Sequence, residues 1–194
     1  SSNLTFASIG KSQNGQYYTI EGSKLYKSFN QGETWTYYTL PTTAETKIVE
    51  LSNNELAIFW QNQNNLMFSS IGNGEIKFSP TIKLTIFTTN PDYYNVFFQN
   101  GRINLIYAIN DQIYYRSSDD QGRSFSIERN LNERMLPVQL ISASKLDNNL
   151  AIAFQSNKKI YKIISKNNGT TFDPPAEIYS TDKTIHSLLA SKDD

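Results

Sequence analysis

The residues best suited to hold an anionic substrate are Arg102, Arg116, Arg123, Arg129 and Arg134, because each guanidinium is a planar fork of donors that matches a carboxylate. All of them fall within one stretch of the chain, whereas a carboxylate-binding cluster is normally gathered from several elements. Other reactive side chains are scarce. His186 is the lone histidine and there is no cysteine, so neither a histidine-based triad nor a multi-histidine or thiolate metal site can be assembled. Asp119-Asp120 and Asp193-Asp194 are adjacent, and on a strand adjacent side chains point to opposite faces rather than converging for acid–base work. Gly72-Asn73-Gly74 has no following helix to cradle a phosphate, and Lys158-Lys159 is too short a run to grip nucleic acid. The reading is therefore of no catalytic residue, no metal and no cofactor.

The elements that carry these residues are strands. The chain has 194 residues, enough for one sizeable core. Eighteen basic residues balance eighteen acidic ones, so no general attraction to nucleic acid or anionic membrane is expected. Aromatics reach 13%, with tyrosine commonest, a usage that favours strands. No apolar run approaches the ~20 residues of a membrane-spanning helix. The start, Ser1-Ser2-Asn3-Leu4-Thr5, reads as a processed or cut N-terminus. The sequons beginning at Asn3 and Asn168 are glycosylation candidates that tilt the reading towards an exported protein.

One pattern organises the chain. Ser118-Asp119-Asp120-Gln121-Gly122-Arg123-Ser124-Phe125 follows a strand-like run, and the stretches from Ser28 to Trp35 and from Ser165 to Phe172 match it position for position. A decayed copy starts at Ser70, with its aromatic, Phe78, one place late. Glycine at the fifth place tolerates positive φ, Asp or Asn at the third can bond backbone N–H groups of its own loop, and the closing aromatic can wedge between sheets. The leading serines recur at intervals of 42, 48 and 47 residues, close to the ~40–50 of one four-stranded propeller blade. Alternating and near-continuous apolar runs between them, such as Leu56 to Trp60 and Leu150 to Phe154, predict buried strands.

These turns resemble the Asp box, or BNR repeat, of sialidase-like propellers. The resemblance implies an all-β fold, a β-propeller of four-stranded antiparallel blades, with blades at about 4–40, 47–84, 94–129 and 138–179. Residues 185–191 would form the first strand of another blade, which implies a partial propeller within a larger chain or assembly. Sialidases also carry an Arg-Ile-Pro motif and arginines dispersed over several blades, and both are absent here. In that family the box lies on the outer rim, away from the ligand face. The face opposite the boxes would then gather Asn64, Asp92, Tyr93, Tyr94, Asp111, Glu133 and Arg134. Amides, charges and exposed tyrosines of this kind suit a glycan or protein ligand. The expectation is a non-catalytic recognition or adhesion module of an exported, cell-surface or virion-surface protein. The alternatives are a fragment of a sialidase-like glycoside hydrolase or an assembly factor.

Overall fold

A computed structural model of the chain describes residues 10–11, 15–42, 46–52, 54–72, 77–84, 93–132 and 137–189. Four antiparallel sheets of four strands account for its regular structure, and the described residues contain no helix. The first sheet joins β1 (Gly10–Lys11), β2 (Tyr17–Glu21), β3 (Lys24–Ser28) and β4 (Thr36–Thr39) in sequence order. The second joins β5 (Thr46–Glu50), β6 (Leu56–Asn62), β7 (Asn65–Ile71) and β8 (Ile82–Lys83). The third holds β9 (Tyr93–Gln99), β10 (Arg102–Ile109), β11 (Gln112–Ser118) and β12 (Arg129–Asn130). The fourth holds β13 (Leu140–Leu146), β14 (Asn149–Ser156), β15 (Lys159–Ser165) and β16 (Ala176–Ser180).

The chain divides into two compact units, residues 1–62 with 66–84 and residues 63–65 with 85–194. In the first, Leu25, Tyr38 and Leu40 pack with Leu56, Ile58, Trp60 and Ile71. In the second, Ile106, Ile113 and Tyr115 meet Ala143, Leu150, Ile152, Phe154, Tyr161 and Ile163. Each such leucine, isoleucine or phenylalanine contributes about 1.5–3 kcal/mol when buried. The near-continuous apolar runs have the expected meaning, because β6 from Leu56 to Trp60 and β10 from Ile103 to Ile109 are buried at every position. In β14 only alternate residues, Leu150, Ile152 and Phe154, reach complete burial among its apolar side chains.

Three turns share one hydrogen-bond scheme. The Ser118 hydroxyl accepts from Gly122 N–H at 2.7 Å and donates to Asp120 Oδ1 at 2.8 Å. Asp120 in turn accepts from the Ser124 N–H and hydroxyl at 2.9 and 2.6 Å. Ser28 and Asn30 repeat this with Gly32 and Thr34. Ser165 and Asn167 repeat the backbone bonds with Gly169 and Thr171, but here the Asn167 Nδ2 donates to the Thr171 hydroxyl at 2.9 Å. Positive φ extends to the fourth place as well as the glycine: Gln31 and Gly32, Gln121 and Gly122, Asn168 and Gly169 all adopt it. The closing aromatics differ in task. Phe172 meets Tyr115 of the neighbouring sheet edge-on at 4.9 Å, whereas Trp35 Nε1 donates back to Gly32 at 3.0 Å.

The structure corrects the register of the decayed copy. Ser70 pairs with Ser79 through Ser79 N–H and Ser79 Oγ, as Ser117 does with Ser126. Ile71, not Ser70, therefore occupies the leading place, and its bridge partner Phe78 falls at the eighth place without delay. Ile71 is buried in the core, so an apolar side chain replaces a buried hydroxyl. Three of the fourth strands start well after the turn that precedes them: β8 opens at Ile82, β12 at Arg129 and β16 at Ala176. Residues 4–9 of the blade expected over 4–40 lie outside the described residues. The extra strand expected over 185–191 is not formed by Ile185 to Leu189, and its last two residues lie outside the described ones.

Candidate recognition cleft

Antiparallel register separates the two ends of the third sheet. Ile103 pairs with Ser118 at the end that carries the recurrent turn, and Ile109 pairs with Gln112 at the other. Tyr93 opposite Ala108 opens β9 at that far end. The hairpin there turns on Asn110 and Asp111, both with positive φ, the geometry that matches the twist of a two-residue connection. Asn132 holds the hairpin to the chain leaving β12. Its Oδ1 accepts from Ile113 N–H at 2.7 Å and its Nδ2 donates to the Asp111 carbonyl at 3.3 Å. Asn132 is 1% exposed, and an amide so placed is costly to leave unpaired.

These elements frame a cleft of about 180 Å³ lined by Tyr93, Ala108, Asp111, Val138, Gln139, Leu140 and Ile141. The Tyr93 hydroxyl accepts from Ala143 N–H at 3.0 Å, which fixes its ring as a wall between the third and fourth sheets. Of the residues expected to bind, Tyr93 and Asp111 are thus brought together. Asn64 lies in the turn between β6 and β7 and is half-buried. Tyr94 is a correction: it was expected to be exposed, yet it is buried and pairs with Tyr107 across β10, because strand alternation turns it away from the face Tyr93 occupies. Asp92, Glu133 and Arg134 lie outside the described residues. Val138 to Ile141 were not singled out, since nothing in their types distinguishes them from ordinary strand and loop residues.

Asn168, a glycosylation candidate, spends its amide on bonds within the fold. Its Nδ2 donates to the Gln99 carbonyl at 2.9 Å, and its Oδ1 accepts from Asn104 at 3.0 Å in a buried position. The other candidate, Asn3, lies outside the described residues.

The described arginines do not converge on an anion. Arg102 makes a bidentate pair with Asp119 and also bonds the Asn168 carbonyl and the Thr170 hydroxyl. Its hydrogen bonds to Asp119 raise its pKa above the ordinary value. Arg129 donates to the Gly169 and Thr170 carbonyls while its guanidinium lies 5.0 and 4.9 Å from the Tyr115 and Phe172 ring centres. Arg116 Nε donates to Ser126 at 2.8 Å, and Arg123 is exposed. Among the described residues no group of three or more His, Asp or Glu gathers to hold a metal. No helix there is long and apolar enough to cross a membrane.

No family model matches the sequence, and no curated protein matches it. Solved structures do. The NanB sialidase of Streptococcus pneumoniae aligns over 81% of this chain and 28% of its own, at 15% identity and a TM-score of 0.53. YCF48 bound to D1 peptide aligns over 90% of this chain and 54% of its own, at 14% identity and 0.58. The WD40 domain of SCAP from fission yeast aligns over 91% and 44%, at 9% identity and 0.55. The fold is that of a β-propeller. The likeness to the sialidase is one of fold, and this chain spans about half or less of each neighbour's length.

Proposed function

We propose that this propeller segment is a non-catalytic recognition module that takes a side chain of a protein partner into the cleft between Tyr93 and Asp111. The observation that carries the proposal is their convergence with Val138 to Ile141 at the sheet end remote from the recurrent turns. About 180 Å³ is below the roughly 300–1,000 Å³ usual for small-molecule sites, and it suits one anchoring side chain flanked by an aromatic wall and a carboxylate. YCF48, a neighbour in fold, was captured with a peptide, which agrees with this reading. The recurrent turns are read as Asp boxes of architectural purpose, since each is closed by bonds within itself.

Photo-crosslinking tests the site. With a photoreactive residue at Gln139, a partner should be captured and identified by mass spectrometry, and Tyr93→Ala should abolish capture. Capture that persists in Tyr93→Ala would reject the cleft. A glycan array that binds the wild type but not Asp111→Ala would redirect the reading to a sugar ligand. The exported or surface setting draws on the sequons at Asn3 and Asn168; an endoglycosidase-sensitive mass at either in the natively expressed protein supports it, and both left unmodified removes that support.

A further inference from the structure

The carboxylates of the second unit differ in what they hold. Asp119 pairs with Arg102, Glu128 accepts from the Tyr107 hydroxyl, Glu177 pairs with Lys159 and Asp182 with Lys158. Asp111 stands apart. Its backbone carbonyl accepts from Asn132 Nδ2 at 3.3 Å and from Gln112 Nε2 at 3.2 Å, which fixes the residue at its positive φ. Its exposed side chain makes no hydrogen bond or ion pair with any described residue, although an aspartate in a turn ordinarily bonds the backbone of its own loop.

The charge around it is one-sided. Among the described residues lining the Tyr93 cleft, Asp111 alone carries a charge, and Val138, Leu140 and Ile141 are apolar. Lys158 and Lys159 lie at the same end of the fourth sheet as Leu140, but they already face Asp182 and Glu177. In sequence, the stretches 85–92 and 133–136 beside these elements contribute Asp92, Glu133 and Arg134, which is one further negative charge net. The larger cleft of about 400 Å³ beside Ile127, itself 90% exposed, sets Arg102 and Arg129 against Glu128, so its charge is mixed. An apolar wall beside an unpaired carboxylate matches a side chain with a hydrocarbon stem and a cationic head. An acidic side chain would meet like charge there.

We propose that the Tyr93 cleft receives a lysine or arginine side chain of its protein partner, with the stem against Tyr93, Val138 and Ile141 and the cation on the Asp111 carboxylate. This rests on the reading of that cleft as the recognition site and adds the chemistry of the residue it takes. An exposed ion pair is weak by itself. The stem therefore supplies most of the affinity, and Asp111 supplies the selection against neutral and acidic side chains.

NMR titration of the whole chain with single-residue probes tests this. Nα-acetyl-lysine methylamide and its arginine counterpart should shift the Gln139, Leu140 and Ile141 amides saturably. The norleucine counterpart, which keeps the stem and drops the charge, should bind about fivefold more weakly, and the glutamate counterpart should leave these amides unmoved. Asp111→Asn, a change that a turn position with positive φ tolerates, should weaken the lysine probe about fivefold and abolish its advantage over norleucine. Equal binding of lysine and norleucine, lysine affinity unchanged in Asp111→Asn, a preference for glutamate, or no shift with any probe would overturn the proposal. Photo-crosslinking at Gln139 decides the cleft separately. A partner captured equally by wild type and Asp111→Asn, but lost in Tyr93→Ala, leaves the cleft standing and removes the basic occupant.

Discussion

Asp120 is the acidic member of a set whose other members are Asn30 and Asn167, and the difference is testable by pH. Hydrogen bonds from Ser124 depress its pKa from the ordinary 3.8 to about 2. A depressed carboxylate contributes stability above its unfolded value and loses it as pH falls through the folded one. The turn at Ser118 should therefore loosen between about pH 4 and pH 2, while the asparagine turns do not respond. Amide chemical shifts check this: Ser124 N–H should titrate with a midpoint near 2, and Thr34 and Thr171 should stay flat. Gly169 is the second case at this scale. Its φ is 79°, and an added Cβ would fall onto the Tyr115 hydroxyl and Asn104 Oδ1. Gly169→Ala should thus destabilise the second unit by about 1–3 kcal/mol or more, seen as a lower midpoint in chemical denaturation. Gly22→Ala, at an open turn with positive φ, should cost only its backbone strain, about 1–2 kcal/mol.

At the scale of the element, a turn can be stitched by bonds or filled by carbon. Ser165 is buried with its hydroxyl bonded to Gly169 N–H and Asn167, so Ser165→Ala leaves a buried donor unpaired and should cost about 1–3 kcal/mol. Ile71 holds the same place in the second sheet and packs in the core, so Ile71→Ser should cost about 2–5 kcal/mol rather than restore a working turn. Thermal melts of the two variants separate these mechanisms. The repeat unit was legible in the sequence because its glycine, its acceptor and its aromatic occupy places that a left-handed turn demands. The true register of the decayed copy was not, because a serine stood one place early and only strand pairing reveals which residue faces Phe78.

For the whole molecule, four antiparallel sheets bury β6 from Leu56 to Trp60 and β10 from Ile103 to Ile109. Of the described arginines, Arg102 and Arg129 serve the joint between the third and fourth sheets, where they bind the carbonyls of the turn from Asn168 to Thr170. A fluorogenic sialoside should accordingly show no turnover by this chain, and turnover removed by Arg102→Ala would refute that role. Arg129→Ala should instead lower stability, by about 0.5–2 kcal/mol for the lost aromatic sandwich together with the unpaired carbonyls.

Local chemistry was enough to determine that this chain forms four repeated antiparallel sheets, since strand alternation and turn demands are written in neighbouring residues. Which tyrosine faces the cleft, what the amide of Asn168 bonds, and where Ile127 emerges were decided only by tertiary structure. Those outcomes depend on pairing between residues far apart in the chain, where a shift of one place exchanges the inside of a sheet for its outside.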